Sequence, residues 1–203
     1  FVVRSLGDKN YGLWIFIAGF LNFYGIFDLG FGQAVERYLS RAIGNQDREE
    51  ANIVINTSLF LFSVIGAIAL LMAIGTTFLV PLFIKNITDG ALFKQIVVIL
   101  GFSLALSFPA KVFSATLISH LRYDLVTLIG TAKLLLKTIL MIVFLNLGYG
   151  ILALAFITLA VDLLSYLASY IVTQRMIGHV VVSREFVNLS RVKPLFQYGA
   201  YAF

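Results

Sequence analysis

LVTLIGTAKLLLKTILMIVFLNLGYGILALAFITLAVDLLSYLASYIVTQR, residues 125–175, decides the fold. The turn NLGYG at 146–150 splits it into two apolar runs, 125–147 and 151–175. Each run is long enough to cross a bilayer, which takes about 20 apolar residues at about 1.5 Å per residue. Yet Lys133, Lys137 and Asp162 sit inside them. Helical rise puts Lys133 and Lys137 about 14 to 20 Å past Asp124, and Asp162 about 18 Å past Gly150 from the opposite side. All three therefore meet near the middle of the membrane. Lys133 and Lys137 are four residues apart and share a helix face.

Outside this stretch the composition has the same character. Of 203 residues, 60% are hydrophobic and 12% charged, where soluble domains carry roughly 25% charged residues. The mean hydropathy is +0.97. A water-soluble globule is excluded, because so much apolar surface needs a far larger polar shell. There is no cysteine and there are two histidines. That removes thiolate metal sites, cysteine nucleophiles and disulfides, and leaves too little for a histidine cage. No catalytic residue, metal site or cofactor is expected.

The pattern predicts an all-α polytopic bundle with five complete spans, at 11–34, 53–84, 95–119, 125–147 and 151–175. Residues 1–3 read as the end of an earlier span and 195–203 as the start of a later one, so the whole protein is expected to have at least seven. RSLGDKN at 4–10, KNITDG at 85–90 and NLGYG at 146–150 read as turns. The longer basic connection at 173–194 reads as a segment lying on the surface between two bundles. Eight basic residues fall on one side (Arg37, Arg41, Arg48, Arg122, Arg175, Arg184, Arg191, Lys193) and four on the other (Arg4, Lys9, Lys85, Lys94). The richer side is assigned to the cytoplasm. Basic loops facing anionic membrane lipids account for the net charge of +5, with no call for nucleic acid. Tyr11, Trp14, Tyr149 and Tyr201 suit an aromatic belt.

Five ionisable residues lie within apolar stretches: Asp28, Lys111, Lys133, Lys137 and Asp162. At mid-bilayer each costs roughly 2.5 to 3.5 kcal/mol on the mildest scale, so all must face protein or water. Ser103, Ser107, Lys111 and Ser114 form one polar stripe, and Thr158, Asp162, Tyr166, Ser169 and Thr173 another; Thr127 and Gly130 extend the lysine face. These stripes suit close helix packing as well as a wet cavity. Asp162 likewise has two readings, a packing counter-ion for one lysine or part of a substrate pathway. One carboxylate cannot neutralise two lysines. Gly30 and Gly32, beside Asp28, form no phosphate loop, since neither a strand nor a following Lys-Ser or Lys-Thr flanks them. They are expected to allow close helix approach or bending. Pro109 is expected to kink its span beside Lys111, a gating candidate together with Asp28, Gly30 and Gly32.

Three stretches carry a resemblance. LGDKNYGLW at 6–14 with FDLGFGQAVERYLSRAIGNQDREEAN at 27–52, FPAKVFSATLISHLRYD at 108–124 and KPLFQYGAYAF at 193–203 are similar to the polysaccharide biosynthesis proteins and O-antigen flippases of the multidrug, oligosaccharidyl-lipid and polysaccharide exporter superfamily. The resemblance implies one six-helix lobe of a two-lobe transporter. Residues 1–178 would be the end of helix one and helices two to six, 179–194 a cytoplasmic interlobe linker, and 195–203 the start of helix seven. It implies flipping of a polyprenyl-pyrophosphate-linked oligosaccharide across the bacterial cytoplasmic membrane by alternating access, in company with polysaccharide polymerase and glycosyltransferases. Lys111, Lys133, Lys137 and Asp162 would line the cavity. A drug or metabolite exporter and a peptidoglycan-precursor flippase share this architecture. A membrane-embedded sugar polymerase or acyltransferase is the rival of another class; the 173–194 loop offers it His179 and Glu185 but no paired carboxylates.

Overall fold

The computed structural model describes residues 2–23, 31–83, 87–177, 181–195 and 197. The described residues form the helices α1 (Val2–Phe23), α2 (Phe31–Gly44), α3 (Arg48–Phe83), α4 (Ile87–Ser119), α5 (Tyr123–Asn146) and α6 (Ile151–Ile177), and residues 192–195 are helical as well. No strand occurs among the described residues. Among the described residues, four stretches are long and apolar enough to span a bilayer: Arg48–Phe78, Gly90–Ser119, Tyr123–Asn146 and Ile151–Met176. The chain is a multi-pass membrane protein. Large apolar side chains on the outside, among them Leu134, Leu135 and Ile139 of α5, are what lipid requires rather than a defect.

Three boundaries differ from the sequence reading. RSLGDKN is not a loop, because α1 runs through it; Gly7 breaks the helix geometry from within, at φ 76 and ψ 157. Only glycine takes up that conformation without strain. The expected span 11–34 divides between α1 and the separate α2, and residues 24–30 lie outside the described ones. At 85–90 the expected turn gives way to helix from Ile87 onward. The NLGYG turn holds, with Gly148 at φ 83. Between α4 and α5, Arg122 donates two hydrogen bonds of 3.0 and 2.9 Å to Asp124.

Among the described residues, two apolar clusters make the core. One joins Leu6 and Ile17 of α1 to Phe93, Ile96 and Leu100 of α4 and Leu154 of α6. The other joins Leu39 of α2 to Ile55 and Phe62 of α3 and Phe108 and Val112 of α4. The helices α3 and α4 come into close contact where side chains are missing or minimal. A Cβ on Gly101 would come within 2.6 Å of Ala73 Cβ, and one on Gly66 would run into the Ala105 carbonyl. That carbonyl lies four residues before Pro109, which has no N–H to offer it. α4 nevertheless continues through Pro109 to Ser119.

In the basic connection, the described stretch 181–191 lies against α3. It is extended, with two 3-10 turns at Arg184–Phe186 and Leu189–Arg191, and α3 side chains pin its backbone. Asn52 Oδ1 accepts from Val181 N at 3.0 Å. Asn56 donates to the Val181 carbonyl at 2.7 Å and accepts from Ser183 N at 2.9 Å. Thr57 Oγ1 accepts from Asn188 N at 3.0 Å, and Arg191 pairs with Glu50 at 2.9 Å. Buried amides on α3 are thereby satisfied by chain more than 120 residues away, as burial of polar groups demands.

Candidate functional site

Ser103 sits on α4 between Leu100 of one apolar cluster and Phe108 of the other. There the charged groups of α5 and α6 meet. Lys133 Nζ lies 2.9 Å from Asp162 Oδ1, and Ser103 Oγ donates to Asp162 Oδ2 at 2.6 Å. Asp162 is 8% exposed. The contact to Oδ1 is an ion pair by distance without hydrogen-bond alignment, and Oδ1 has no hydrogen-bond partner among the described residues. Lys133 also lies 5.4 Å from the centre of the Tyr166 ring, within cation–π range.

A cavity of about 290 Å³ opens beside this pair. Lys111 of α4 and Lys133 of α5 both line it, with Ser107, Ser114, Ser165 and Ser169 supplying hydroxyls. Gly130 leaves the α5 wall open, and Tyr166 closes the α6 side. Lys111 Nζ lies 5.3 Å from the centre of the Phe108 ring. The two ammonium groups thus come from different helices to one hollow, a concave mixed surface of the kind that binds small ligands.

Lys137 stands one turn beyond Lys133, half-buried, and does not line this hollow. The polar stripes divide in the same way. Ser103, Thr158 and Thr173 are buried between helices, Thr158 bonding back to the Leu154 carbonyl at 2.8 Å. Ser107, Ser114 and Ser169 face the cavity. Asp28 and Gly30 lie outside the described residues. Gly32 lines a second hollow with Glu36 of α2, and burial pushes the Glu36 carboxyl above its ordinary range. Sequence reading missed Glu36, Gln33 and Ser165 as wall residues, since none stands out in an apolar run.

No protein-family model matches the chain, and no curated protein does so. Among solved structures it is similar to the inward-facing conformation of a multidrug resistance MATE family transporter of the MOP superfamily, with a TM-score of 0.74 and 19% identity. The fold is that of a MATE transporter lobe. The match covers 92% of this chain and 43% of that one, so the chain spans less than half the transporter's length. At this identity the likeness carries the fold alone.

Proposed function

We propose that this chain is one lobe of an alternating-access transporter that flips a polyprenyl-pyrophosphate-linked oligosaccharide across a bacterial cytoplasmic membrane, in company with the enzymes that build and polymerise the glycan. The observation that carries this reading is the shared cavity of Lys111 and Lys133. A pyrophosphate cannot shed its hydration in hydrocarbon, and ammonium donors replace the lost water with charge-assisted contacts. The polyprenyl tail stays in lipid. Rocking of this lobe against its counterpart exposes the head group to each side in turn. A peptidoglycan precursor carries the same pyrophosphate and satisfies the same chemistry.

Export of an organic cation is the second reading, favoured by the fold likeness to a multidrug transporter. It would use Asp162, whose oxygens already face Lys133 and Ser103. The amines outnumber the carboxylate at this site.

In vesicles reconstituted with the full-length protein, Lys111→Ala is expected to slow flipping of a fluorescent polyprenyl-pyrophosphoryl oligosaccharide about tenfold or more, one charge-assisted contact being worth roughly 1.5 to 3 kcal/mol. Lys94→Ala, at an exposed position outside both hollows, should leave the rate unchanged. An unaltered rate in Lys111→Ala, or export of a cationic dye lost in its place, would contradict the proposal.

A further inference from the structure

The anion cavity has a neighbour of about 270 Å³ between α2 and α4, walled by Gly32, Gln33, Glu36, Lys111, Ser114 and Ile118. Lys111 and Ser114 belong to both hollows. The partition between them is therefore one layer of side chains thick. Ser119 Oγ donates to the Glu36 carbonyl at 3.2 Å, which sets Glu36 level with the last turn of α4. Lys111 lies eight residues earlier on α4, about 12 Å deeper. Gln33, one turn before Glu36, shares its face.

Along this path the chemistry changes. Past the shared Lys111 and Ser114, the second ammonium group, Lys133, gives way to an amide and a carboxylate at Gln33 and Glu36. A second phosphate would be repelled by Glu36. Carboxylate and amide oxygens accept from hydroxyls, while the amide nitrogen and the serine hydroxyl donate to them. That set fits an uncharged, polyhydroxylated group attached to an anion. The volume lies just under the roughly 300 Å³ lower end of ligand pockets, room for one ring and not for a chain of them.

From this geometry we infer that the hollow between α2 and α4 is a sugar subsite, which holds the phosphate-proximal ring of a glycosyl pyrophosphate while its phosphates lie between Lys111 and Lys133. Gln33 and Glu36 are its specificity residues. The inference rests on the anion cavity proposed above and names the part of the substrate next to it.

The test uses the full-length protein in detergent and two soluble probes, farnesyl pyrophosphate and farnesyl pyrophosphoryl hexose, with binding measured by calorimetry. The unaltered protein should bind the glycosylated probe about tenfold more tightly than the bare one, as expected for a hydrogen bond to a charged group. Glu36→Gln combined with Gln33→Ala should reduce that preference to about twofold or less while bare-probe affinity holds. Glu36→Gln is isosteric and Gln33 is exposed, so an unchanged melting temperature serves as the folding control. A preference that survives the double variant, or no preference in the unaltered protein, overturns the sugar subsite and leaves the anion cavity standing. If neither probe binds the unaltered protein, the anion cavity falls as well. Tetraphenylphosphonium binding that Glu36→Gln abolishes would make the hollow a cation site and overturn the inference.

Discussion

Asp162→Ala is expected to destabilise the folded lobe by roughly 2 to 3 kcal/mol, because it strands the Lys133 ammonium without its counter-ion. Breaking a fully buried pair costs about 3 to 5 kcal/mol. The lower value follows from Lys133, whose side chain remains 33% exposed and lines the cavity. Ser103 also loses the acceptor it reaches at 2.6 Å. Lys133→Met together with Asp162→Leu should recover most of the loss, since removing both charges abolishes both desolvation penalties. Thermal unfolding in detergent separates the cases. Equal losses in the single and double variants would mean that the pair contributes nothing beyond packing.

Gly66→Ala is expected to cost roughly 2 to 3 kcal/mol, the upper part of the range for overpacking a tight contact. A methyl there meets backbone, the Ala105 carbonyl, with the Ala105 carbonyl carbon 3.2 Å away. Backbone cannot rotate aside as a side chain can. Either α3 and α4 separate, or the carbonyl freed by Pro109 is forced out of its place. Gly75→Ala on the same helix provides the contrast, since a Cβ there meets nothing within 4 Å. It should be neutral or stabilising by up to about 1 kcal/mol, the helix-propensity difference. Melting temperatures of the two variants that moved together would remove the close contact as the explanation.

What was legible in the sequence was what depends on one helix at a time. Apolar runs gave α3 to α6, and helical rise brought Lys133 and Asp162 to one depth, where they stand 2.9 Å apart. Pairings between distant segments were not legible. Asn52, Asn56 and Thr57 look like ordinary polar residues in an apolar helix, and their partners lie between Val181 and Asn188. The Gly66 contact needs the register of α3 against α4, which no local pattern carries. Gly7 failed in another way. A glycine among Asp, Lys and Asn signals a turn, whereas here it bends a helix that continues on both sides. The lysines likewise parted by neighbours that spacing cannot name, Lys111 and Lys133 lining the hollow while Lys137 does not.

Lys111 and Lys133 are expected to face water within the membrane. In a full-length background without other cysteines, Ser114→Cys places a single thiol in the wall of both hollows, and Leu134→Cys places one on the apolar outside, where Leu134 is 65% exposed. A charged, membrane-impermeant thiosulfonate applied to the full-length protein in membranes should modify Ser114→Cys and spare Leu134→Cys, and a lipid-linked pyrophosphate should protect the former. A Ser114→Cys thiol that reacts only with a lipid-soluble maleimide, as Leu134→Cys does, would contradict the account.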